Sequence, residues 1–464
     1  MTPSPRLTEV RAPETIRPPH AHVPDYWPKF RLALYWQLFQ NYIDTWPAQL
    51  YEELVIDCSS QFPKTFLVND PTMIRDIFRR GSDDFQSCAQ QRRICTSLFG
   101  GPSIATSEGD DWLADRSRYE AALTPEAVRR ADVVIIANAE KLVRSWSGEG
   151  RDVRIDKGIA RFSLANIALL ALGWERGAEL DAIADAIDGA RSSVGRISLA
   201  SVTHVLEFMR LNTRGRGSGA LAVLERIVSA EIFKRKNARG ESKGDLLAAY
   251  ISDAEGDSGN AAADQRARSN VLAMLAAGFD TTASALTWFL YLLALSPEVQ
   301  KQVRRELAKI EGQDFSAGSA ATPMTRAALA ESLRLYPPLP LLARTAMRDY
   351  QHGSVRIPAG FNVFVSPYVV HRHRRLWDHP DRFDPERFIG ARRKDHAVGA
   401  YLPFGVGRRS CVGMQLANRE IIAAAAAILG AFDLTPSPHH PVQLRSGMGL
   451  RAEGGITLCL ERRK

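Results

Sequence analysis

The sequence predicts a mainly α-helical protein with a small β region, organised as a single large domain around a long central helix. Three observations carry that expectation. Apolar residues make up 45% and charged residues 24% of the 464 positions, enough for a large buried core and too apolar for a disordered chain. Between Arg268 and Glu298 the only charge is Asp280, so this stretch reads as one apolar helix of about 30 residues, about 45 Å long at 1.5 Å per residue. Helical periodicity dominates the rest, and β-rich runs are short. Length alone would suggest about three domains of roughly 150 residues. No segment reads as a domain linker, however, and there is no internal repeat or low-complexity tract.

Taken in order, residues 1–28 form a Pro-rich arm, with proline at 3, 5, 13, 18, 19, 24 and 28, expected to run extended along the surface. Residues 29–464 form the folded domain. Lys29 to Glu53 mixes Trp, Tyr, Leu and charges as an amphipathic helix does; such a helix could graze a membrane, but core packing is the expectation. Short β-rich runs follow at Leu54 to Asp57 and Thr65 to Val68. Helix signals, among them proline in the first turn, cover Pro71 to Arg80, Asp110 to Leu123, Pro125 to Trp146, Ile159 to Leu172, Leu180 to Leu211 and Gly219 to Lys236. They continue over Gly244 to Ile251, Ser269 to Leu295, Pro297 to Ile310, Thr325 to Tyr336 and Gln415 to Ala431. Thr213 to Ser218 and Glu255 to Ala263 are flexible joins between helices. Val355 to Val370 is β-rich, and from Leu444 onward Gly-rich turns predict a closing hairpin.

Sixty Lys and Arg against 52 Asp and Glu leave a formal charge of +8, which implies a basic face; no nucleic-acid-binding module accompanies it. The five cysteines (Cys58, Cys88, Cys95, Cys411, Cys459) are odd in number and form no CxxC pair, so neither a disulfide framework nor a zinc ribbon is expected and a reducing, cytoplasmic setting fits. The first 30 residues hold no apolar run of the kind a secretory signal or amino-terminal anchor needs. A membrane-spanning reading of the long apolar stretch is disfavoured. A mid-span Asp280 costs roughly 2.5 to 3.5 kcal/mol on insertion scales, and Gly278, Thr281, Thr282, Ser284 and Thr287 dilute the run.

The chemistry concentrates in Phe404-Gly405-Val406-Gly407-Arg408-Arg409-Ser410-Cys411-Val412-Gly413, directly before a helical run. A thiol ahead of a helix amino terminus and beside arginines sits in positive potential, which favours the metal-binding thiolate. The glycines allow tight turning and close approach to a flat ligand. This FxxGxRxCxG pattern resembles the heme-binding loop of the cytochrome P-450 family. The resemblance implies that family's fold and heme b (iron protoporphyrin IX), with Cys411 as proximal iron ligand, Phe404 packed near the thiolate and the amides around Val412 and Gly413 tempering its charge. It further implies that Arg409, Arg344, Trp112 and Arg116 (a WxxxR pair on one helix) bind the heme propionates. Glu331 and Arg334, at i and i+3, together with Arg387 in Asp384-Pro385-Glu386-Arg387-Phe388, resemble the family's structural Glu-Arg-Arg triad.

On the long helix, Ala277-Gly278-Phe279-Asp280-Thr281-Thr282 carries a threonine whose hydroxyl can bond the carbonyl of Ala277 and bend the helix into a groove. In the family, Ala277 would lie against the heme, Asp280 would relay protons during oxygen activation, and Thr281 would position water. A thiolate ligand favours O–O cleavage, so the expected function is insertion of one oxygen atom from O2 into a lipophilic small molecule, by hydroxylation or epoxidation. The alternative is a heme-thiolate ligand-binding or sensor protein without turnover.

Electrons would come from a separate ferredoxin or flavodoxin with an NAD(P)H-dependent reductase, because the chain to Lys464 leaves no room for a fused one. The basic residues Arg116, Arg118, Arg372, Arg374, Arg375, Arg392, Arg393, Lys394 and Arg408 are candidates for docking it. Gly447 to Ala452 matches GxGxxA but reads as a hairpin turn, without the βαβ unit a dinucleotide needs. His371-Arg372-His373 is not expected to bind metal. A monomer is expected. The pocket roof would come from the loop between Phe85 and Ile104, the helices near Leu180 to Leu211, Ala277, Leu341, Leu342 and Met448. Those residues are largely apolar, which suits a fatty acid, terpenoid or steroid-like compound. Arg92 and Arg93 could anchor a carboxylate but read more simply as solvated. The Ala277-to-Thr282 run, Tyr336-Pro337-Pro338 and the Pro385-to-Phe388 element are similar to the fatty-acid-hydroxylating branch.

Overall fold

Proline in the first turn, behind a side-chain oxygen, fixes where several helices begin. Asp70 accepts from the N–H groups of Thr72 and Met73 ahead of Pro71, and Thr124 accepts from that of Ala127 ahead of Pro125. The structure, a computed structural model, describes residues 16–28, 31–81, 83–147, 152–175, 180, 182–183, 218–237, 244–252, 261–310, 321–390, 392, 398–447 and 449–463. Among these the helices are α1 Arg31–Asn41, α2 Pro71–Arg79, α3 Ala89–Phe99, α4 Gly109–Ala122, α5 Pro125–Trp146, α6 Ile155–Leu172 and α7 Ser218–Asn237, then α8 Leu246–Ser252, α9 Ala261–Leu295, α10 Pro297–Leu307, α11 Pro323–Leu335, α12 Pro367–Val370 and α13 Met414–Ala431.

Helix α9 is the expected long helix, eight residues longer at its start than the apolar run suggested. It packs against α6, α7, α11 and α13. Gly278 is what lets α6 come so close: a Cβ there would lie 2.4 Å from Cγ1 of Ile167. Farther along, Trp288 stacks on Tyr336 with ring centroids 3.9 Å apart, both rings fully buried. Each such aromatic buries on the order of 150 to 250 Å², so the carboxy-terminal half of α9 is the centre of the core. Its length and apolar composition would suffice to cross a membrane, but 67% of its most apolar window is buried inside the protein.

The main sheet runs β1 (Val55–Asp57), β2 (Thr65–Val68), β8 (Asn362–Val365), β5 (Leu342–Ala346), β3 (Phe85–Gln86). Its pairs are antiparallel except β2 with β8, where Thr65 lies opposite Asn362. Strands β6 (Tyr350–His352) and β7 (Val355–Ile357) form a hairpin. A second sheet sets β12 (Thr457–Arg462) between β4 (Asp152–Arg154) and β9 (Phe432–Pro436), and β10 (Leu444–Ser446) pairs with β11 (Leu450–Ala452) across the expected Gly-rich turn.

Three local expectations are corrected. The segment between Phe85 and Ile104 is not an open loop, because residues 89–99 form α3, whose amino terminus at Cys88 has no side-chain cap to announce it. The β-rich run Val355 to Val370 splits into two strands and a short helix at Pro367, capped by Ser366. Helix α1 is also shorter than Lys29 to Glu53. It ends at Asn41, whose side chain is drawn away to Asp44, the carbonyl of Leu444 and Ser446. The described part of the amino-terminal arm is extended and tied down: Ala21 N–H donates to the Tyr368 hydroxyl and Phe383 N–H donates to the carbonyl of Ile16. The expected helix over Leu180 to Leu211 lies almost wholly outside the described residues.

Candidate functional site

Gly405 and Gly407, at φ +72° and +77°, coil the segment before Cys411 tightly. Gly407 presses on the carboxy-terminal end of α2 so closely that a Cβ would stand 2.0 Å from the carbonyl oxygen of Phe78. Cys411 N–H donates to the carbonyl of Phe404 at 2.9 Å, and α13 starts three residues later. Burial pushes the Cys411 thiol up, while a hydrogen bond from Gly413 and the charge of Arg116 pull the other way. Yet the same side chain is exposed. A sulfur that is both crowded by protein and accessible faces an interior hollow, not bulk solvent. No group of three metal-ligating side chains occurs among the described residues.

Cations gather beside the loop. Arg409 donates to the carbonyl of Ser107 at 2.7 Å, pairs with Glu108 and lies 4.8 Å over the ring of Trp112. Arg116 donates to the carbonyl of Ser410 at 2.7 Å and pairs with Glu120, so the α4 pair of Trp112 and Arg116 does grip the cysteine loop. Arg344 projects from β5 and lies 4.7 Å over Phe78. Its one hydrogen bond goes to the carbonyl of Ala343, and no described carboxylate pairs with it. Burial, then the charge of Arg409, pulls Arg344 down to about 10. The charge of Glu108 pulls the other way without pairing directly with it; a desolvated guanidinium held this loosely is stabilised when an anion joins it, which fits a ligand bearing carboxylates.

Sequence reasoning missed what holds Arg409. Asp115 is fully buried and accepts from the hydroxyls of Tyr250 and Ser107 (2.7 and 2.9 Å) and from Arg266 (2.9 Å). Asn270 on α9 accepts from Ile104 N–H at 2.9 Å. Together they fix the turn at 103–107, whose Ser107 carbonyl orients Arg409. No periodicity marks Asp115, since its partners come from two other helices and a loop.

Glu331, Arg334 and Arg387 are brought into contact. Glu331 takes both arms of Arg334 at 2.6 and 2.8 Å and Arg387 at 3.2 Å, all three nearly or fully buried. Arg334 also donates to the carbonyls of His371, Pro380 and Arg382. His371 accepts from Leu402 N–H at 2.7 Å, which leaves Nδ1 to donate to the carbonyl of Arg334 at 3.1 Å. The triad is thus wired to the strand-like run entering the cysteine loop, and both His371 nitrogens are engaged, leaving neither for a metal.

On α9 the hydroxyl of Thr281 donates to the carbonyl of Ala277 at 2.6 Å. Ala277 is exposed and Thr281 half-buried in the middle of an otherwise buried helix, so this stripe lines an opening. Asp280 points elsewhere and pairs with Arg451 of β11, a partner the sequence did not suggest. Leu342 pairs with Val365 in the sheet, Leu341 packs at the edge of the core, and Met448 lies outside the described residues. Arg92 hydrogen-bonds Gln86 at 3.2 Å and is not a free anchor.

The proposed basic docking face is corrected in part. Arg372 is buried beneath Tyr368, 4.0 Å from ring to guanidinium, because the turn carrying it is pulled inward by His371. Arg116 is taken up by Ser410 and Glu120, Arg118 pairs with Asp115 and lies over Tyr250, Arg374 pairs with Glu52, and Arg392 with Asp384. Arg375 and Arg408 are exposed, and Arg393 and Lys394 lie outside the described residues.

A family model described as Cytochrome P450 matches residues 37–460. Cyclooctatin synthase of Streptomyces melanosporofaciens is 34% identical over 54% of this chain and 55% of its own, so that match spans only about half of each protein. Cyclooctat-9-en-7-ol 5-monooxygenase of the same organism is 28% identical over 73% of this chain and 74% of its own. Among solved structures, a retinoic acid bound cyanobacterial CYP120A1 superposes with a TM-score of 0.73 at 22% identity, covering 87% of this chain and 93% of that one. A cytochrome P450DA heme domain gives 0.72 at 24% identity, over 86% and 88%. At that identity the likeness speaks for the fold.

Proposed function

The chain belongs to the cytochrome P450 family, and from that premise we propose that it is a heme-dependent monooxygenase in which Cys411 binds the iron. The observation that carries this is the accessible yet deeply set Cys411 thiol, on a glycine-coiled loop gripped by Arg116 through the carbonyl of Ser410. Heme b, held there, would supply the activation of O2, with electron density from the thiolate favouring O–O cleavage. Arg344, Arg409 and Arg116 would bind and neutralise the propionates of that group, with Trp112 under Arg409 to hold its plane. Gly413 and its neighbours donate to the sulfur and temper its charge.

Thr281 holds the α9 groove open and orients water in it. Asp280 takes up and passes on protons. Glu331, Arg334 and Arg387 keep the cysteine loop in register with α11. The substrate is a lipophilic small molecule, a fatty acid, terpenoid or steroid-like compound, that enters over Ala277, Leu341 and Leu342 and is hydroxylated or epoxidised. Electrons come from a ferredoxin or flavodoxin with an NAD(P)H-dependent reductase, docking where Arg408 and Arg375 are exposed. The protein acts as a cytoplasmic monomer.

The decisive test is the carbon monoxide difference spectrum of the reduced protein. A thiolate-type band that disappears in Cys411→Ala supports the assignment, and one that survives refutes it. Turnover with surrogate ferredoxin then separates an enzyme from a sensor. A spin-state screen across fatty acids, terpenes and steroids identifies the substrate class.

A further inference from the structure

Asp280 is held from the carboxy-terminal hairpin rather than from its own helix. Its Oδ2 pairs with Arg451 on β11, while its Oδ1 is buried and has no partner; Nε of Arg451 is likewise buried and without one. The hairpin is fastened to the same face of α9 just beyond. Ser284 donates to the carbonyl of Leu450 at 2.6 Å, and Trp288 donates to the same oxygen at 3.5 Å. Gly449 sits against Asp280, since a Cβ on it would be 3.6 Å from Oδ2. Three consecutive hairpin residues therefore clasp the acid and the two turns that follow it.

Beside this clasp lies a cavity of about 40 Å³ lined by Asp156, Asp280, Ser284, Thr287, Arg451 and Gly455. That is room for about two or three waters, and two orphaned polar atoms on its wall give them partners. On its far side Asp156 pairs with Arg154 at 3.0 Å, a guanidinium that is 47% exposed. The cavity thus spans from a partly exposed ion pair at the edge of the second sheet to the acid.

Adjacent residues on a helix point about 100° apart, so Asp280 faces the hairpin cavity while Thr281 faces the groove it shares with Ala277. A proton collected on one side reaches the other only if the Asp280 side chain rotates, and rotation breaks its contact with Arg451.

We propose that Arg451 is a positioning residue that latches Asp280, and that protons enter through the polar cavity between α9, Asp156 and the β10–β11 hairpin. The inference rests on the reading of Asp280 as the proton-passing acid. In the step, Oδ1 of Asp280 takes a proton from a hydronium ion in the cavity, leaving a neutral water. The protonated side chain, no longer an anion, lets go of Arg451 and turns toward Thr281. Releasing the proton there regenerates the carboxylate, which returns to Arg451, so no charge accumulates over a cycle.

Two measurements on Asp280→Asn, Arg451→Gln, Arg451→Lys and the double Asn/Gln variant test this. Urea unfolding of the heme-loaded full chain reads the pair itself: each single neutral variant lowers the midpoint, and the double variant lowers it by less than the sum. Product formed per electron pair reads the latch: Arg451→Gln falls ~3-fold or more, with peroxide released in its place and an altered solvent deuterium isotope effect, while Arg451→Lys recovers most of the coupling. If Asp280→Asn leaves coupling unchanged, the acid reading itself fails. If Asp280→Asn uncouples but Arg451→Gln does not, or the unfolding effects simply add, the acid reading stands and the latch is overturned.

Discussion

His371 and Glu420 are two buried titratable groups whose effects on stability run in opposite directions. Burial pulls His371 down to about 3, so the folded protein keeps it neutral. The unfolded chain takes up that proton near pH 6.5. Stability from His371 is therefore complete above about pH 6.5 and declines at up to ~1.4 kcal/mol per pH unit as pH falls toward 3. Glu420, fully buried with only the Ser163 hydroxyl near it at 3.4 Å, is pushed well up. Its unfolded form ionises near pH 4.5, so its contribution is lost as pH rises above that. From about pH 4.5 to 6.5 the two slopes offset each other. Glu420→Gln should then expose the histidine slope as a loss of stability on acidification through that window, read from urea midpoints across pH; profiles parallel to the parent's would contradict it. Gly407 is the other residue whose role is legible only with its neighbour in place. Gly407→Ala combines a left-handed φ with a clash against Phe78 and should cost more than ~2 kcal/mol, visible as a lower midpoint and loss of the thiolate spectrum.

At the level of elements, α11 shows how far spacing can be read. Glu331 and Arg334 at i and i+3 share a face in any helix. Spacing could not show that four backbone carbonyls, those of His371, Pro380 and Arg382 for Arg334 and of His379 for Arg387, complete the cage. Glu331→Gln keeps the shape and removes the charge, leaving two buried guanidinium groups uncompensated. We expect a loss of about 3 to 5 kcal/mol and failure to take up heme, measured by unfolding and by the heme-to-protein absorbance ratio. Helix α9 was legible for the opposite reason: a long apolar run with Asp280 as its one charge, and a threonine able to bond back to Ala277, are read from local spacing alone. Thr281→Ala should keep heme and fold but release peroxide instead of product, and unchanged coupling would remove Thr281 from the mechanism. Helix α3 escaped notice because its uncapped amino terminus and polar first turn carry no start signal.

Across the whole molecule, the net charge of +8 becomes functional only where arginines stay on the surface. Arg408, exposed beside the cysteine loop, stays there, whereas Arg372 does not. Reduction by an acidic ferredoxin should slow as salt rises, and Arg408→Glu should slow it at low salt with little effect at high salt; rates indifferent to both would move the docking face elsewhere. The cysteine loop, the central helix with Asp280 and Thr281, the paired Glu331 and Arg334, and the family itself were determined by sequence alone, because each depends on residue types at fixed local spacing. Only the tertiary structure decided that Arg451 clasps Asp280 and that Asp115 and Asn270 set Arg409. Those outcomes depend on which distant segments meet, and contacts across 150 or more residues are set by how the helices pack around α9, which no local pattern encodes.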